Sequence, residues 1–232
     1  MYRFKVFQAV LNQEVCNVYV DGHVKVLKDY GITNITSNNN DWMKWDCVYG
    51  VYAEDKNGAM VGGIRVQCSD RIHPLPVENA VGKMDPNIYK VVNSYLNGGV
   101  CELCALWNAK EVAGLGLSLL LVRAAISITN QLNCQTMVGI CAEYTMEMFT
   151  KVGFVVDESL GDKGKFIYPN ENYIARVVGI LNAEDLATAD KIDREHILEL
   201  RKNPNQIRKE IGKKNGDIEI EYLLSLKQNQ VI

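Results

Sequence analysis

The sequence predicts an α/β fold in which helices flank both faces of a mixed central sheet and a C-terminal appendage follows. Short apolar runs of strand length alternate with longer helix-periodic segments along most of the chain. The pair Asn57-Gly58 joins two such runs as a tight hairpin. From Val100 to Cys141 the order is strand, glycine-punctuated turn, helix, strand.

In chain order, Tyr2–Val10 alternates and opens the sheet. Gln13–Tyr30 places Val15, Val18, Val24, Val26 and Leu27 on a rough apolar helix face, and Gly31 stops it. Thr36–Asp46 is asparagine-rich and polar, a loop. Strands follow at Cys47–Ala53 and Ala59–Gln67, and Cys68–Glu78 reads as loop because Pro74 and Pro76 restrict it. Asp85-Pro86 opens a helix that runs to about Tyr95 and ends at Asn97-Gly-Gly99. The spacing then predicts a strand over 100–107, a helix over 115–131, a strand over 135–141 and a helix over 143–151. A last strand pair is expected at Gly161–Tyr168 and Tyr173–Leu181. These elements make one domain over 1–181. Residues 182–232 form a mainly helical extension packed on the core, charged over Ala183–Lys214, interrupted near Pro204 and closed by the apolar Ile218–Leu224.

The 232 residues suffice for a substantial core, and 47% apolar with 23% charged residues argues against global disorder. A net charge of -3 with interspersed signs gives no basic patch for nucleic acid. The start Met1-Tyr-Arg-Phe-Lys is too charged for a secretory signal, and no apolar run reaches a membrane span, so a cytoplasmic location is expected. The seven cysteines are odd in number and sit in apolar stretches, which favours reduced thiols. Cys101-Glu-Leu-Cys104 has a metal-pair spacing, but residues three apart on a strand face opposite ways and no second Cys/His pair is near, so no metal is expected.

The most informative stretch is Val100–Phe154. A strand running into Gly114-Leu-Gly116 and a helix presents unpaired backbone N–H groups to a phosphate, and the absent side chains allow close approach. The element order, the turn Glu111-Val-Ala-Gly114-Leu-Gly116, its continuation Leu117-Ser-Leu-Leu120, and Met148-Phe149 ahead of Gly153-Phe154 together resemble the GCN5-related N-acetyltransferase superfamily over residues 1–181. Val100–Trp107, with Glu102-Leu-Cys near its start, is also similar to the branch containing acyl-homoserine lactone and N-acyl amino acid synthases, which take acyl groups from acyl carrier protein.

The resemblance implies coenzyme A contacts at Leu106, Trp107, Asn108, Glu111, Val112, Ala113, Gly114, Leu115, Gly116, Leu117 and Phe149, with two strands splaying to admit the pantetheine arm. Two positions depart from the family pattern. Glu111 stands where Gln or Arg is usual, and a carboxylate beside a pyrophosphate is unfavourable unless it points away or is neutralised. Phe149 stands where many members carry a tyrosine that protonates the leaving thiolate.

Glu102, inside an apolar strand, is the candidate general base, because burial raises a carboxyl pKa toward the useful range. Glu143 is a second candidate base, and Tyr144 a candidate replacement acid. Cys104 and Cys141 are read as core thiols rather than acyl carriers. The resemblance implies that the loop of His73 borders the acceptor site, where the guanidinium groups of Arg65 and Arg71 suit a carboxylate; the alternative, and the simpler reading, is a solvent-exposed loop with surface charges. The expected activity is transfer of an acetyl or other acyl group from acyl-CoA to a small-molecule amine by direct attack in a ternary complex. The alternatives are an N-acyl synthase using long-chain acyl–acyl carrier protein, and a noncatalytic acyl-CoA-binding or regulatory protein. A homodimer is the alternative use of the C-terminal extension.

Overall fold

The structure, a computed structural model, describes residues 1–29, 31, 40–212 and 216–226. Along the chain it contains β1 (Tyr2–Gln8), α1 (Gln13–Asp29), β2 (Val48–Glu54), β3 (Met60–Cys68), α2 (Pro76–Val81), α3 (Asn87–Tyr95), β4 (Val100–Asn108), α4 (Leu117–Ser127), β5 (Thr136–Ala142) and α5 (Met146–Lys151). There follow β6 (Val155–Val156), β7 (Lys165–Ile167), β8 (Ile174–Ile180), α6 (Lys191–Lys202), β9 (Asn205–Ile211) and β10 (Asp217–Leu223). The ten strands belong to one sheet in the order β6-β8-β5-β4-β3-β2-β1-β10-β9, with β7 also paired to β8. The pairs β4–β5 and β1–β10 are parallel, and the other pairs are antiparallel. The expected mixed α/β sheet is present.

One face of the sheet packs Leu103, Cys101 and Ile64 against Leu117, Leu121 and Ala125 of α4. The other face carries two smaller cores. Val100 and Val138 meet Val77, Val81 and Ile88 of α2 and α3, while Phe7, Tyr52 and Trp107 meet Cys16 and Tyr19 of α1. Strand alternation puts Arg65, Gln67 and Glu102 on that second face, all buried. A polar seam therefore runs between two apolar clusters.

Three expectations need correction. Helix α2 occupies part of the expected 68–78 loop: Pro76 opens it, and the Glu78 carboxylate accepts the Leu75 N–H at 2.7 Å, satisfying a donor at the helix start. The expected 36–46 loop lies partly outside the described residues, and Asp41–Lys44 within it forms a 3-10 turn. The largest difference is the extension. Among its described residues only Lys191–Lys202 is helical; beyond Pro204 the chain forms the hairpin β9–β10, whose second strand pairs along β1. The open edge of β1 offers unpaired backbone groups, and pairing there outweighs the helix-like charge pattern.

The extension shares the core of the rest: Ile197, Leu200 and Tyr222 belong to the cluster under α4. A buried polar chain fixes it. Arg123 of α4 donates to Asp193 at 2.7 Å and lies 2.9 Å from Nδ1 of His196, whose Nε2 is 2.8 Å from Glu210. Tyr222 donates to the same Glu210 oxygen at 2.8 Å. Among the described residues no helix is long and apolar enough to cross a membrane.

Candidate active site

Strands β4 and β5 pair only where Val100, Cys101 and Glu102 face Thr136, Met137 and Val138. Beyond that β5 keeps its pairing with β8 and β4 with β3, so the two strands part. Between Arg65↔Cys104 and Gly63↔Trp107 the β3–β4 register shifts, and Ala105 adopts φ 52°, a β-bulge. The Tyr19 hydroxyl donates to the Ala105 carbonyl and holds the bulge. The gap opens into two adjoining spaces, a cleft of 540 Å³ and an inner pocket of 240 Å³, which share Leu27, Leu106, Tyr144 and Thr145 as walls.

The cleft runs along the glycine turn. Gly114 and Gly116 both have φ 84°, left-handed backbone that favours glycine, and Gly116 leads into α4 with no side-chain cap. The first N–H groups of α4 thus lack intrahelical partners and carry the positive end of the helix dipole. Gly114, Gly116 and Ser118 line the cleft, and Asn108 donates to the Ser118 hydroxyl at 2.5 Å. Leu106, Trp107, Asn108 and Ala113 line it as well. The side chains of Val112 and Leu117 are instead buried in the core, and Leu115 packs on it. Glu111 is exposed and lines a neighbouring depression with Asp21 and Lys25 instead of the cleft along the glycine turn. At the cleft's rim, Lys110 pairs with Asp29 at 3.0 Å and Lys151 with Glu147 at 2.7 Å.

Glu102 lines the inner pocket and is 0% exposed. One carboxyl oxygen accepts the Val77 N–H at 2.7 Å, and the other is buried with no hydrogen-bond partner among the described residues. Burial raises its pKa to about 8, against the opposing effects of the Val77 hydrogen bond and the Arg65 guanidinium. Arg65 is 2% exposed, donates to Cys104 Sγ at 3.2 Å and lies 4.7 Å from the centre of the Trp42 ring. His23, which belongs to no motif of the sequence, also lines this pocket; burial and then Arg65 lower its pKa to about 4, leaving a neutral imidazole. Only its place on the apolar side of α1, beside Leu27, would have marked it.

Phe149 closes one wall of the pocket, edge-on to Phe154 at 5.4 Å. Tyr144, 75% exposed, stands where pocket and cleft meet. Glu143 lines neither space: Arg176 holds both its oxygens, at 2.5 and 3.0 Å, and the resulting hydrogen bonds lower its pKa. Its geometry is that of a surface ion pair, not of a base facing the pocket. Cys104 and Cys141 line the pocket as protonated thiols, pushed up by burial to about 11 and about 12. His73 and Arg71, expected near an acceptor, line neither space. Glu102, Tyr144, Phe149, Leu106 and the glycine turn are thus gathered around one forked gap, and Glu143 stands outside it.

The comparisons with known proteins agree on the architecture. No protein-family model and no curated protein sequence matches the chain. Among solved structures, the chain is similar to FeeM, an N-acyl amino acid synthase from uncultured soil microbes, with a TM-score of 0.61 and 10% identity over 84% of this chain and 99% of that one. It is similar to the CoA-dependent acyl-homoserine lactone synthase BjaI, solved with SAM and isopentyl-CoA, with a TM-score of 0.55 and 12% identity over 88% and 91% of the two chains. It is also similar to Escherichia coli ElaA, with a TM-score of 0.55 and 9% identity over 77% and 99%. The chain therefore shares its fold with these two synthases and with ElaA.

Proposed function

We propose that the protein is an acyltransferase that moves an acyl group from coenzyme A to a small-molecule amine by direct attack. The observation that carries this reading is the joining of a phosphate-ready cleft to an apolar pocket walled by a buried, half-satisfied carboxyl. The α4 N-terminus and the glycine turn receive the pyrophosphate, and the free edges of β4 and β5 flank the pantetheine arm. Glu102, as carboxylate, takes a proton from the incoming ammonium or amine, directly or through one water. The amine nitrogen bonds to the thioester carbon, the C–S bond breaks, and the thiolate of coenzyme A leaves. Phe149 has no proton to give it, and this reading assigns that proton to Tyr144, which lines both spaces.

The inner pocket, 240 Å³ and walled by Leu106, Ile140 and Phe149, is shared between acyl chain and acceptor, and its apolar walls suit an acyl group. The rim favours coenzyme A over acyl carrier protein, since Lys110 and Lys151 are each matched by an acid instead of forming a basic docking face. FeeM and BjaI lend the synthase reading their names, an N-acyl amino acid product and a CoA donor.

The test is calorimetric titration of coenzyme A, acetyl-CoA and a long-chain acyl-CoA into the protein, followed by thiol release in the presence of amine acceptors. Binding that is lost in Gly114→Val, with thiol release dependent on acceptor, supports the proposal. Binding without turnover for any acceptor points to the regulatory reading, and no binding of any thioester sinks the coenzyme A assignment.

A further inference from the structure

Outside the forked gap, three metal-ligating side chains of different chemistry converge beside the start of β2. Cys47 precedes that strand, and Asp70 and His73 lie on the loop between β3 and α2. Cys47 Sγ is 3.4 Å from Asp70 Oδ2, and His73 Nδ1 is 2.7 Å from the same oxygen. All three ligand atoms fall within 4.8 Å of one another.

We propose that Cys47, Asp70 and His73 bind one divalent transition-metal ion of the zinc class, with water in the fourth position. A tetrahedral zinc ion, about 2.3 Å from sulfur and about 2.0 Å from nitrogen and oxygen, sets its ligand atoms about 3.3–3.5 Å apart. The sulfur–oxygen edge already has that length, and the nitrogen–oxygen edge needs to open by about 0.6 Å. The thiol, imidazole and single carboxylate suit zinc or cobalt, whereas magnesium and calcium prefer oxygen ligands throughout.

Each ligand is also held from behind. Asp70 Oδ1 accepts the N–H groups of Ile72 and His73 at 2.9 and 2.8 Å, which leaves Oδ2 facing the other two ligands. The His73 ring stacks on Trp45, with centroids 3.9 Å apart and planes 19° apart. The Cys47 carbonyl accepts the Cys68 N–H at 2.8 Å. Such supporting contacts fix ligand orientation in metal sites. All three residues are partly exposed, so an ion and its water have access. Binding displaces the thiol proton of Cys47 to solvent, the proton that His73 Nδ1 directs at Oδ2 is exchanged through solvent for one on Nε2, and the hydrogen bonds to Oδ2 give way to coordination.

The ion would clamp the entry of β2 to the loop that leads into α2, whose Val77 N–H holds Glu102. The assignment does not depend on the acyl-transfer reading.

Cobalt(II) titration of the reduced protein, followed by absorbance, tests it. One equivalent is expected to bind, with a thiolate-to-cobalt charge-transfer band that zinc abolishes by competition. The band is expected to vanish in Cys47→Ser and persist in Cys134→Ser, because the pair Cys134 and Cys68, with sulfurs 3.6 Å apart, is the other thiol cluster a soft metal would choose. Asp70→Asn keeps the oxygen that caps the loop, and it and His73→Gln are each expected to weaken binding at least about tenfold, the smaller loss known for supporting residues alone. Circular dichroism confirms that each variant is folded. No band at one equivalent, or a band that survives Cys47→Ser, overturns the proposal.

Discussion

The buried carboxyl of Glu102 ties stability to pH in a way that the substitution Glu102→Gln isolates. With its pKa raised from 4.5 to about 8, the folded chain retains a proton that the unfolded chain has lost across that interval. Unfolding is then favoured by rising pH, so this group subtracts stability from pH 4.5 upward and reaches its full effect near 8. Each pH unit contributes about 1.4 kcal/mol, hence about 3 kcal/mol at pH 7, an upper value for a site that can relax. Glutamine keeps the shape and can still accept the Val77 N–H, but it does not titrate. Urea unfolding of both proteins at pH 5, 6, 7 and 8 is the assay. At pH 5 the two are expected to differ little. By pH 7 the variant is expected to be more stable by up to about 3 kcal/mol, a midpoint shift of about 1–2 M at an ordinary urea dependence. The same variant is expected to lose about 10²–10⁴ in kcat/KM. A stability difference that stays constant from pH 5 to 8 refutes the reasoning, because the carboxyl would then titrate alike in both states.

Arg65→Met removes the guanidinium that opposes the rise in the Glu102 pKa, so the rising limb of kcat/KM against pH is expected to move above about 8; an unmoved limb shows that the two groups are not coupled. In Gly22→Ala the new methyl lands on the Trp107 ring, which is 4% exposed and edge-on to Tyr19. Overpacking of about 1–3 kcal/mol is expected to outweigh the gain of about 1 kcal/mol in helix propensity, giving a net loss in urea unfolding and a changed tryptophan emission; a stabilised variant refutes the contact. Phe149→Tyr restores a proton donor to the pocket wall and is expected to raise kcat with acyl-CoA affinity unchanged, measured by thiol release; a lowered kcat assigns leaving-group protonation elsewhere, with Tyr144 the residue to replace next.

The glycine turn was legible because a strand followed by Gly114-Leu-Gly116 has few uses, and both residues do take left-handed backbone. The burial of Glu102 was legible from its apolar neighbours. Its surroundings were not: Val77, whose N–H it accepts, Arg65, whose charge acts on it, and His23, which lines the same pocket, come from α2, β3 and α1, and only the packing of those elements on β4 brings them together. The placement of Glu111 depended on the 3-10 turn at Lys110–Val112, which the motif does not specify. Residues 205–211 misled because the alternation in Asn-Gln-Ile-Arg-Lys-Glu-Ile is carried by few apolar side chains, and the edge that organises it belongs to β1 at the other end of the chain. Cys47, Asp70 and His73 follow no ligand spacing, so Cys101-Glu-Leu-Cys104 drew the attention instead. Its two thiols do face opposite ways, Cys101 into the α4 core and Cys104 into the pocket.

The bulge at Ala105 explains how a single strand serves both spaces. Before it, Glu102 and Cys104 point to the pocket side of the sheet while Cys101 and Leu103 point to α4. Strict alternation would continue with Leu106 and Asn108 on the pocket side. One extra residue reverses the parity, as a one-residue slip does in any strand. Trp107 now faces α1, in the cluster with Tyr19, and Asn108 faces α4, where it reaches Ser118. The reversal lets β4 present a carboxyl to the inner pocket and, a few residues later, an amide side chain to the helix whose N-terminus lines the cleft. Ala105 sits in left-handed backbone, a conformation of order 1–2 kcal/mol above the usual for a residue with a Cβ, and the Tyr19 hydroxyl donates to its carbonyl there. Tyr19 is 1% exposed and touches neither space as a lining residue, yet it holds the strand in the shape on which both depend.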